Sequence, residues 1–472
     1  MRLFPEMTPD HRFLGPLRAL ALAAALGFAA PAAAQLIGGG LPGLPIGGGL
    51  PSELPGRLGP RDLPDAAATL PRTNVTPQVE ALAGELARAP LDQVRRLTAE
   101  QLLRRHSDQV ETDDHGQPVV RGEVLAVATD PAALARLRQA GFSVRSQEDL
   151  GALGLKTYVL GLPRGRSAVE AIRQLRALDP AGQYDFNHLY QEAGGVAGPA
   201  MSAVAGAAAP DARGLRIGLV DGSVAASRPA LARAQVVQRA FAPGGAATSA
   251  HATAVASLIV GGAGPFHGAA SGASLYVADV YGPTAAGGSA QAVVRGLAWL
   301  AEQKTPVINI SLVGPSNLLL AAAVQALIAR GHLVVAAVGN DGPAAAPLYP
   351  AAYSGVVAVT GVDAGRRVLP EAGRGTHVDF AAPGAEMAAA GLSGGYVRVR
   401  GTSFAAPIVA GRLARLAAGA TAAQAVEALG REAVDLGAPG PDPVYGRGLV
   451  GWELRVDPGA VGLRPEKSPA AG

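Results

Sequence analysis

The sequence predicts a three-layer α/β protein with a mostly parallel sheet, preceded by a small α+β domain, and three observations lead there. Apolar runs at 215–220 and 333–338 have the length and composition of strands buried on both faces. Each of them ends in a turn, Asp221-Gly222-Ser223 after the first and Gly339-Asn340-Asp341-Gly342 after the second. From about 215 to 430, strands alternate with helical stretches, as crossover connections in a parallel sheet demand.

Taken from the N-terminus, the chain opens with Arg2, His11, Arg12 and Arg18 ahead of an apolar run at 19–30, and Ala32-Ala33-Ala34 then offer a cleavage site before Gln35. That is the pattern of a signal peptide over 1–34, so the protein is expected to be exported, to the periplasm or beyond. The run is too short for a bilayer span. Residues 35–75, with repeated Gly-Gly-Gly and many prolines, read as a flexible linker. Residues 76–112 read as one or two helices, with Val79, Leu82 and Leu86 at helical spacing.

The small domain follows at about 121–191. Strands are expected at 122–128, 142–145, 158–162 and 183–191. Helices are expected at 130–140, with Asp130 as N-cap and Pro131 in the first turn, and at 167–178, with Val169, Ile172 and Leu175 on one face. The order is βαββαβ, shared with ferredoxin-like modules. Residues 192–212 are rich in glycine and alanine and read as a loop, and 456–472 read as a loose tail.

Ser403 stands in Gly401-Thr402-Ser403-Phe404-Ala405-Ala406-Pro407, a strand-to-helix corner. Gly401 allows the tight turn, and Thr402 and Ser403 are expected to satisfy free amides at the helix start. A hydroxyl at the positive end of a helix can attack a carbonyl if a base and an anion-stabilising group converge on it. Candidates for both exist. Asp221 ends a strand, His251 opens a helical stretch of small apolar residues, and Asn340 follows the apolar run at 333–338 with its amide free to donate. The remaining histidines His267, His332 and His377 and the acids Asp279, Asp363 and Asp379 read as structural, turn or surface groups.

The order Asp221, His251, Asn340, Ser403, with the G-T-S-x-A-A-P corner, resembles the subtilisin-like serine proteases, or subtilases (peptidase family S8). Chymotrypsin-like enzymes run His, Asp, Ser and α/β-hydrolases Ser, Asp, His, and no G-x-S-x-G elbow surrounds Ser403. The resemblance covers about 213–455. It implies a serine endopeptidase in which His251 is the general base, Asp221 orients it, Ser403 is the nucleophile, and Asn340 with the Ser403 N–H forms the oxyanion hole. Residues 308–315 look like the strand lining the substrate cleft, which implies Ser311, Leu312, Val313, Gly314, Ala337 and Gly339 as substrate contacts. The stretches 349–351 and 382–384 also fall where subtilases carry similar runs.

The resemblance further implies that 76–191 is an inhibitory propeptide, that 192–212 is a cleavage loop, and that the protein is a self-processing zymogen. Its partners are then protein or peptide substrates and its own propeptide, and a monomer is expected. Two departures stand out. The usual hydroxyl after the aspartate comes one position late, at Ser223, and Ala252 replaces the usual glycine after the histidine. Val313 stands where many relatives have glycine, so a preference for small residues before the scissile bond is expected. Alternatives are a catalytically silent binding module on the same fold, or an esterase using the same triad.

Composition narrows the field. With no cysteine in 472 residues there is neither a disulfide nor a thiolate metal site. A net charge of +3, scattered arginines and 4% aromatics argue against nucleic-acid binding. The implied chemistry requires no cofactor and no catalytic metal. Structural calcium, common among subtilases, falls on no acidic residues with clear ligand spacing.

Overall fold

The computed structural model describes residues 99–127, 130–201, 212–263 and 266–463, with the side chains of 197–201 left aside. The expected signal peptide and linker lie outside the described residues, as does most of the helical region after them. Residues 99–105 are helical, but Val110–Thr112 forms a strand (β1) rather than the end of a helix. Its backbone pairs antiparallel with β2 (Pro118–Val127) across the short turn at 113–117, where the Asp113 carboxylate accepts the His115 and Gln117 N–H groups.

The region up to 188 continues with α1 (Pro131–Gln139), β3 (Ser143–Leu150), β4 (Leu155–Gly161), α2 (Ala168–Leu178) and β5 (Gln183–His188). Local chemistry fixes both helix starts. Asp130 accepts the Ala133 N–H at 2.7 Å with Pro131 behind it, and Ser167 and Glu170 form a reciprocal capping box. The antiparallel sheet alternates with the pleat. Val124, Ala126 and Leu160 face Ile172 and Leu175 of the domain's own core, while Leu125, Val127 and Val159 join a different cluster with Trp299 and Leu319 of the larger part of the chain.

That larger part is a seven-stranded sheet, all parallel, of β8 (Arg216–Asp221), β9 (Gln235–Ala240), β12 (Ser274–Asp279), β13 (Val307–Ile310), β15 (Leu333–Ala337), β16 (Val357–Val362) and β17 (Phe380–Pro383). The spatial order is β17-β16-β15-β13-β8-β12-β9. Between β9 and β12 comes the short ladder of β10 (Gly262–Ala263) and β11 (Phe266–His267). One face packs on α3 (Ala250–Val260) and α6 (Thr402–Leu416), through Ile217, Leu219, Val277, Val335 and Val359. The other packs on α4 (Ala290–Glu302) and α5 (Leu318–Ala329), through Val220, Ala278, Ile308, Val334 and Ala358. This is the three-layer α/β fold, and α7 (Ala422–Glu432) lies beyond α6.

Two further segments depart from the sequence reading. The supposed loop after 192 contains β7 (Gly195–Met201), which pairs antiparallel with β19 (Tyr396–Arg400), itself paired with β18 (Met387–Ala390). Such a glycine- and alanine-rich strand has little propensity of its own and is held by its partner's edge. The supposed loose tail packs down at its start. Pro458–Val461 is a 3₁₀ turn that buries Val461, with Leu463 behind it.

Polar contacts at helix starts join the small domain to the sheet layers. Asn317 caps α5, its Oδ1 accepting from Leu319 and Leu320 at 3.1 and 3.2 Å. Its Nδ2 donates to the Phe186 carbonyl at 2.9 Å and lies 3.1 Å from His188 Nδ1. The opposite ring nitrogen of His188 is 3.2 Å from Asp113. Burial works against the Asp113 charge, but the His188 contact and the N–H groups of Gln117 and His115 hold its carboxyl below the usual range. Asn317→Ala removes a cap and leaves buried partners unmet. It is expected to lower the unfolding free energy of the full chain by about 1–3 kcal/mol. The check is denaturant unfolding, where an unchanged midpoint would speak against this role for Asn317.

Candidate active site

The site lies at the carboxyl ends of the parallel strands, where an open α/β sheet gathers its loops. Asp221, the last residue of β8, is buried, and its Oδ1 accepts the Gly222 N–H at 2.7 Å. Its carboxylate meets His251 Nδ1 at 2.9 and 3.2 Å. In the neutral ring that contact places the proton on Nδ1 and leaves Nε2 as the acceptor. His251 is the second residue of α3, whose N-cap Ser249 accepts the Ala252 N–H. Nε2 is buried, has no hydrogen-bond partner among the described residues, and lies on the side chain whose ring centroid is 5.2 Å from that of Phe404.

The displaced hydroxyl has a different job from steadying Asp221. Ser223 Oγ donates to Asp279 at 2.6 Å, and Asp279 also accepts the N–H groups of Ala247, Tyr281 and Gly282. Asp279 is therefore fully buried, not a surface acid. Sequence reading missed this because an acid at a strand end looks the same whether its loop folds over it or away from it. Asp279 ties the loops after β8 and β12 together beneath the site.

At the Ser403 corner, Gly401 takes φ 135°, and a Cβ there would lie 2.6 Å from Gly194 Cα and 2.8 Å from the Ala193 carbonyl oxygen. The turn and the close approach both require glycine. Neither hydroxyl caps the helix, contrary to the sequence reading, since α6 has no side-chain cap. Thr402 Oγ1 instead accepts the Gly339 N–H at 3.1 Å. Ser403 Oγ donates to the Ser311 carbonyl at 3.3 Å, and no hydrogen bond joins it to His251. The Thr402 N–H donates to Asn340 Oδ1 at 3.1 Å, which turns the Asn340 amide nitrogen toward the cleft.

What fills the cleft is the chain itself. The Ala193 carbonyl accepts the Asn340 Nδ2 at 2.5 Å and the Ser403 backbone N–H at 2.9 Å. Ahead of it, β6 (Gln191–Glu192) pairs antiparallel with β14 (Leu312–Val313), Glu192 opposite Leu312 and Gln191 opposite Val313. The Ala193 N–H continues the ladder to the Ser311 carbonyl at 3.2 Å. Tyr190 is buried against Gly314, and its hydroxyl donates to the Pro315 carbonyl at 2.7 Å. After Ala193, Gly194 sits so tightly that a Cβ would come within 2.6 Å of the Phe404 ring and 3.2 Å of Ser403 Oγ.

Of the predicted substrate contacts, Ser311, Leu312, Val313 and Gly314 thus line the 190–193 segment. Ala337 ends β15 in the core beneath it. Gly339 lies against Leu348, whose Cδ1 would be 2.5 Å from a Cβ at that position. Leu348 packs on the same cluster as Ala193. Leu348, Ser249 and Phe404 were not singled out from the sequence, since only the folded loops bring them to the cleft.

Electrostatically the site is tense. Burial disfavours a charged imidazole, but the carboxylates of Asp221 and Glu192 outweigh it and hold His251 up at about 9. Glu192 is itself pushed up, chiefly by burial and also by Asp221. Among the described residues, Glu192, Asp221 and His251 form one of two groups with metal-like spacing, the other being the mostly exposed Asp113, Asp114 and His115. In the first group every carboxylate is engaged by Ser249, Gly222 or the imidazole. Neither is the all-oxygen set that calcium favours.

Comparison with known proteins agrees with this geometry. The model of the Subtilase family matches residues 213–448, half of the chain. Minor extracellular protease Epr of Bacillus subtilis is 34% identical over 173 residues, 36% of this chain and 27% of that protein. Subtilisin DY of Bacillus licheniformis is 34% identical over 193 residues, 39% of this chain and 69% of that protein. The chain thus spans about a quarter of the first relative and about two thirds of the second. The crystal structure of fervidolysin from Fervidobacterium pennivorans, described as a keratinolytic enzyme related to subtilisin, superposes with a TM-score of 0.60 at 21% identity, over 75% of this chain and 62% of that one. That likeness is one of fold. With the family model, the identity to a subtilisin and the order Asp221, His251, Asn340, Ser403 in agreement, this chain belongs to the subtilase family.

Proposed function

We propose that the protein is a serine endopeptidase made as a self-processing zymogen, and that it cuts itself between Ala193 and Gly194. The observation that carries this reading is the Ala193 carbonyl, held by both the Asn340 amide and the Ser403 N–H. Two donors aimed at one carbonyl oxygen are what an acyl-transfer site offers to developing negative charge.

The reaction follows from the residues present. Ser403 Oγ turns from the Ser311 carbonyl and attacks the Ala193 carbonyl carbon, while His251 Nε2 takes the hydroxyl proton. Asp221 holds the ring through Nδ1 and stabilises the imidazolium. The C–N bond to Gly194 breaks as His251 returns that proton to the Gly194 nitrogen. Water then attacks the acyl-enzyme, its proton passing through His251 to Ser403 Oγ, and Ala193 leaves as a carboxylic acid. Residues up to Ala193 are the inhibitory propeptide in this reading, and the N-terminal domain docks them. Export is supported by the signal-like sequence at 1–34 and by a relative named as extracellular. Among the described residues no helix is long and apolar enough to cross a membrane.

Substrate choice follows from the same contacts. Leu348, rather than Val313 alone, fills the space beside Gly339 where the side chain before the scissile bond would go, so small residues such as alanine are preferred there. The residue after the bond is best glycine, given the approach of Phe404.

Refolded wild type is expected to release a fragment whose N-terminal sequence starts at Gly194, while Ser403→Ala stays whole. Cleavage elsewhere, or in both proteins, overturns the assignment. Asn340→Ala is expected to slow peptide hydrolysis by about 10²–10³-fold, the loss typical of one oxyanion donor, with little change in KM. Leu348→Gly is expected to raise kcat/KM for substrates with leucine or phenylalanine before the scissile bond by on the order of tenfold or more. A peptide library in which the unaltered enzyme already prefers Phe, Tyr or Arg there would count against a narrowed pocket.

A further inference from the structure

We propose that Glu192 is a built-in brake on self-cleavage: its carboxylate, seated between the Ser249 hydroxyl and the His251 ring, pairs with the imidazole that Ser403 needs as its base. This rests on the reading of Ala193–Gly194 as the bond that is cut. The placement is specific. Glu192 Oε1 accepts the Ser249 hydroxyl at 3.1 Å and lies 3.8 Å from His251 Nδ1. The Glu192 side chain is 17% exposed and that of His251 2%, so their attraction is little screened by solvent.

The groups facing this carboxylate come from every neighbouring element. Asp221 at the end of β8 lies against the same imidazole, His251 is the basic partner on α3, and Tyr281 is a neutral phenol whose ionisation burial, Glu192 and Asp221 oppose. One imidazolium thus faces two carboxylates at close range, Asp221 and Glu192. Burial favours the neutral ring, and Asp221 and Glu192 together overturn that preference, which moves His251 to about 9. A protonated His251 leaves its Nε2 as a donor, and Ser403 then has no base.

Segment 190–193 therefore carries two instructions. Its backbone presents the Ala193 carbonyl for attack, and the side chain before it withholds the base. After the cut, departure of the propeptide removes Glu192 and frees His251 to titrate lower, so the mature enzyme works at a pH where its precursor is slow. A substrate with an acidic residue at this position should likewise bind well and turn over slowly.

The test is the self-cleavage rate of refolded full-length wild type, Glu192→Gln and Ser403→Ala across pH 6–10, followed by intact mass. Glutamine keeps the shape and an oxygen for Ser249 but not the charge. Glu192→Gln is expected to cleave about tenfold faster at neutral pH, corresponding to a fall of about one unit in the rate midpoint. Identical rates and midpoints in wild type and Glu192→Gln overturn the brake while leaving the cleavage site intact. No cleavage in any variant at any pH overturns the underlying assignment of Ser403 instead. Should Glu192→Gln fail to fold, peptides spanning 190–195 with Glu or Gln at the third position are given to the mature enzyme. A higher kcat for the Gln peptide at neutral pH supports the brake, and equal kcat values overturn it.

Discussion

The constraint on which the rest of the site depends is the grip on one carbonyl oxygen, that of Ala193, between the Asn340 amide and the Ser403 N–H. Gly401 has no side chain because none fits between that oxygen and the corner. Asn340 points its nitrogen inward because Thr402 donates to its oxygen, and Thr402 is placed by the same corner. The ladder from Gln191 to Ala193 along Ser311–Val313 fixes the depth of the carbonyl. Each contact is modest alone, and together they leave the peptide one register.

Much of this was legible in the sequence because Asp221, His251, Asn340 and Ser403 each stand where a strand ends or a helix begins. At such points the local pattern of apolar run, turn and small-residue helix also says which way a side chain will face. The parallel sheet was legible for the same reason. What escaped depends on distant segments. Nothing near Leu348 says that its side chain will lie against Gly339, and nothing near Asp279 says that four donors will close over it. The strand Gly195–Met201 escaped because its composition is that of a loop and its order comes from the edge of β19. Val313 was read as the residue narrowing the pocket, yet it pairs with Gln191 two residues away from Ala193.

The small domain shows how such a segment is kept in place without strong local affinity. Its sheet is buried on both faces, with Val124 and Leu160 toward its own helices and Leu125 and Val159 toward α4 and α5. Covalent linkage through His188 to Ala193 makes occupation of the cleft intramolecular, so a few backbone hydrogen bonds suffice to hold it. The proposed cut after Ala193 would end the continuity with Gly195–Met201, whose strand pairs with β19.

The direction of the helices explains why a strand rich in acceptors fits here. In a parallel sheet with crossovers, the helices that follow the strands begin at the strands' carboxyl ends, so their positive N-termini crowd one edge. Four of them meet the segment 185–193. Asp185 accepts the Leu318 N–H of α5 at 2.7 Å, Asn187 the Gln291 N–H of α4 at 3.1 Å, Glu192 the hydroxyl of the α3 cap Ser249, and the Ala193 carbonyl the Ser403 N–H of α6. Three of these acceptors are side chains that dock the segment, and one of them, Glu192, also reaches His251. The fourth is a peptide oxygen, and it alone gains charge if the carbon beside it is attacked. Under the proposed reaction, the same field that seats the whole segment would strengthen at one atom, so that a fold binding an extended chain would favour the transition state at one bond.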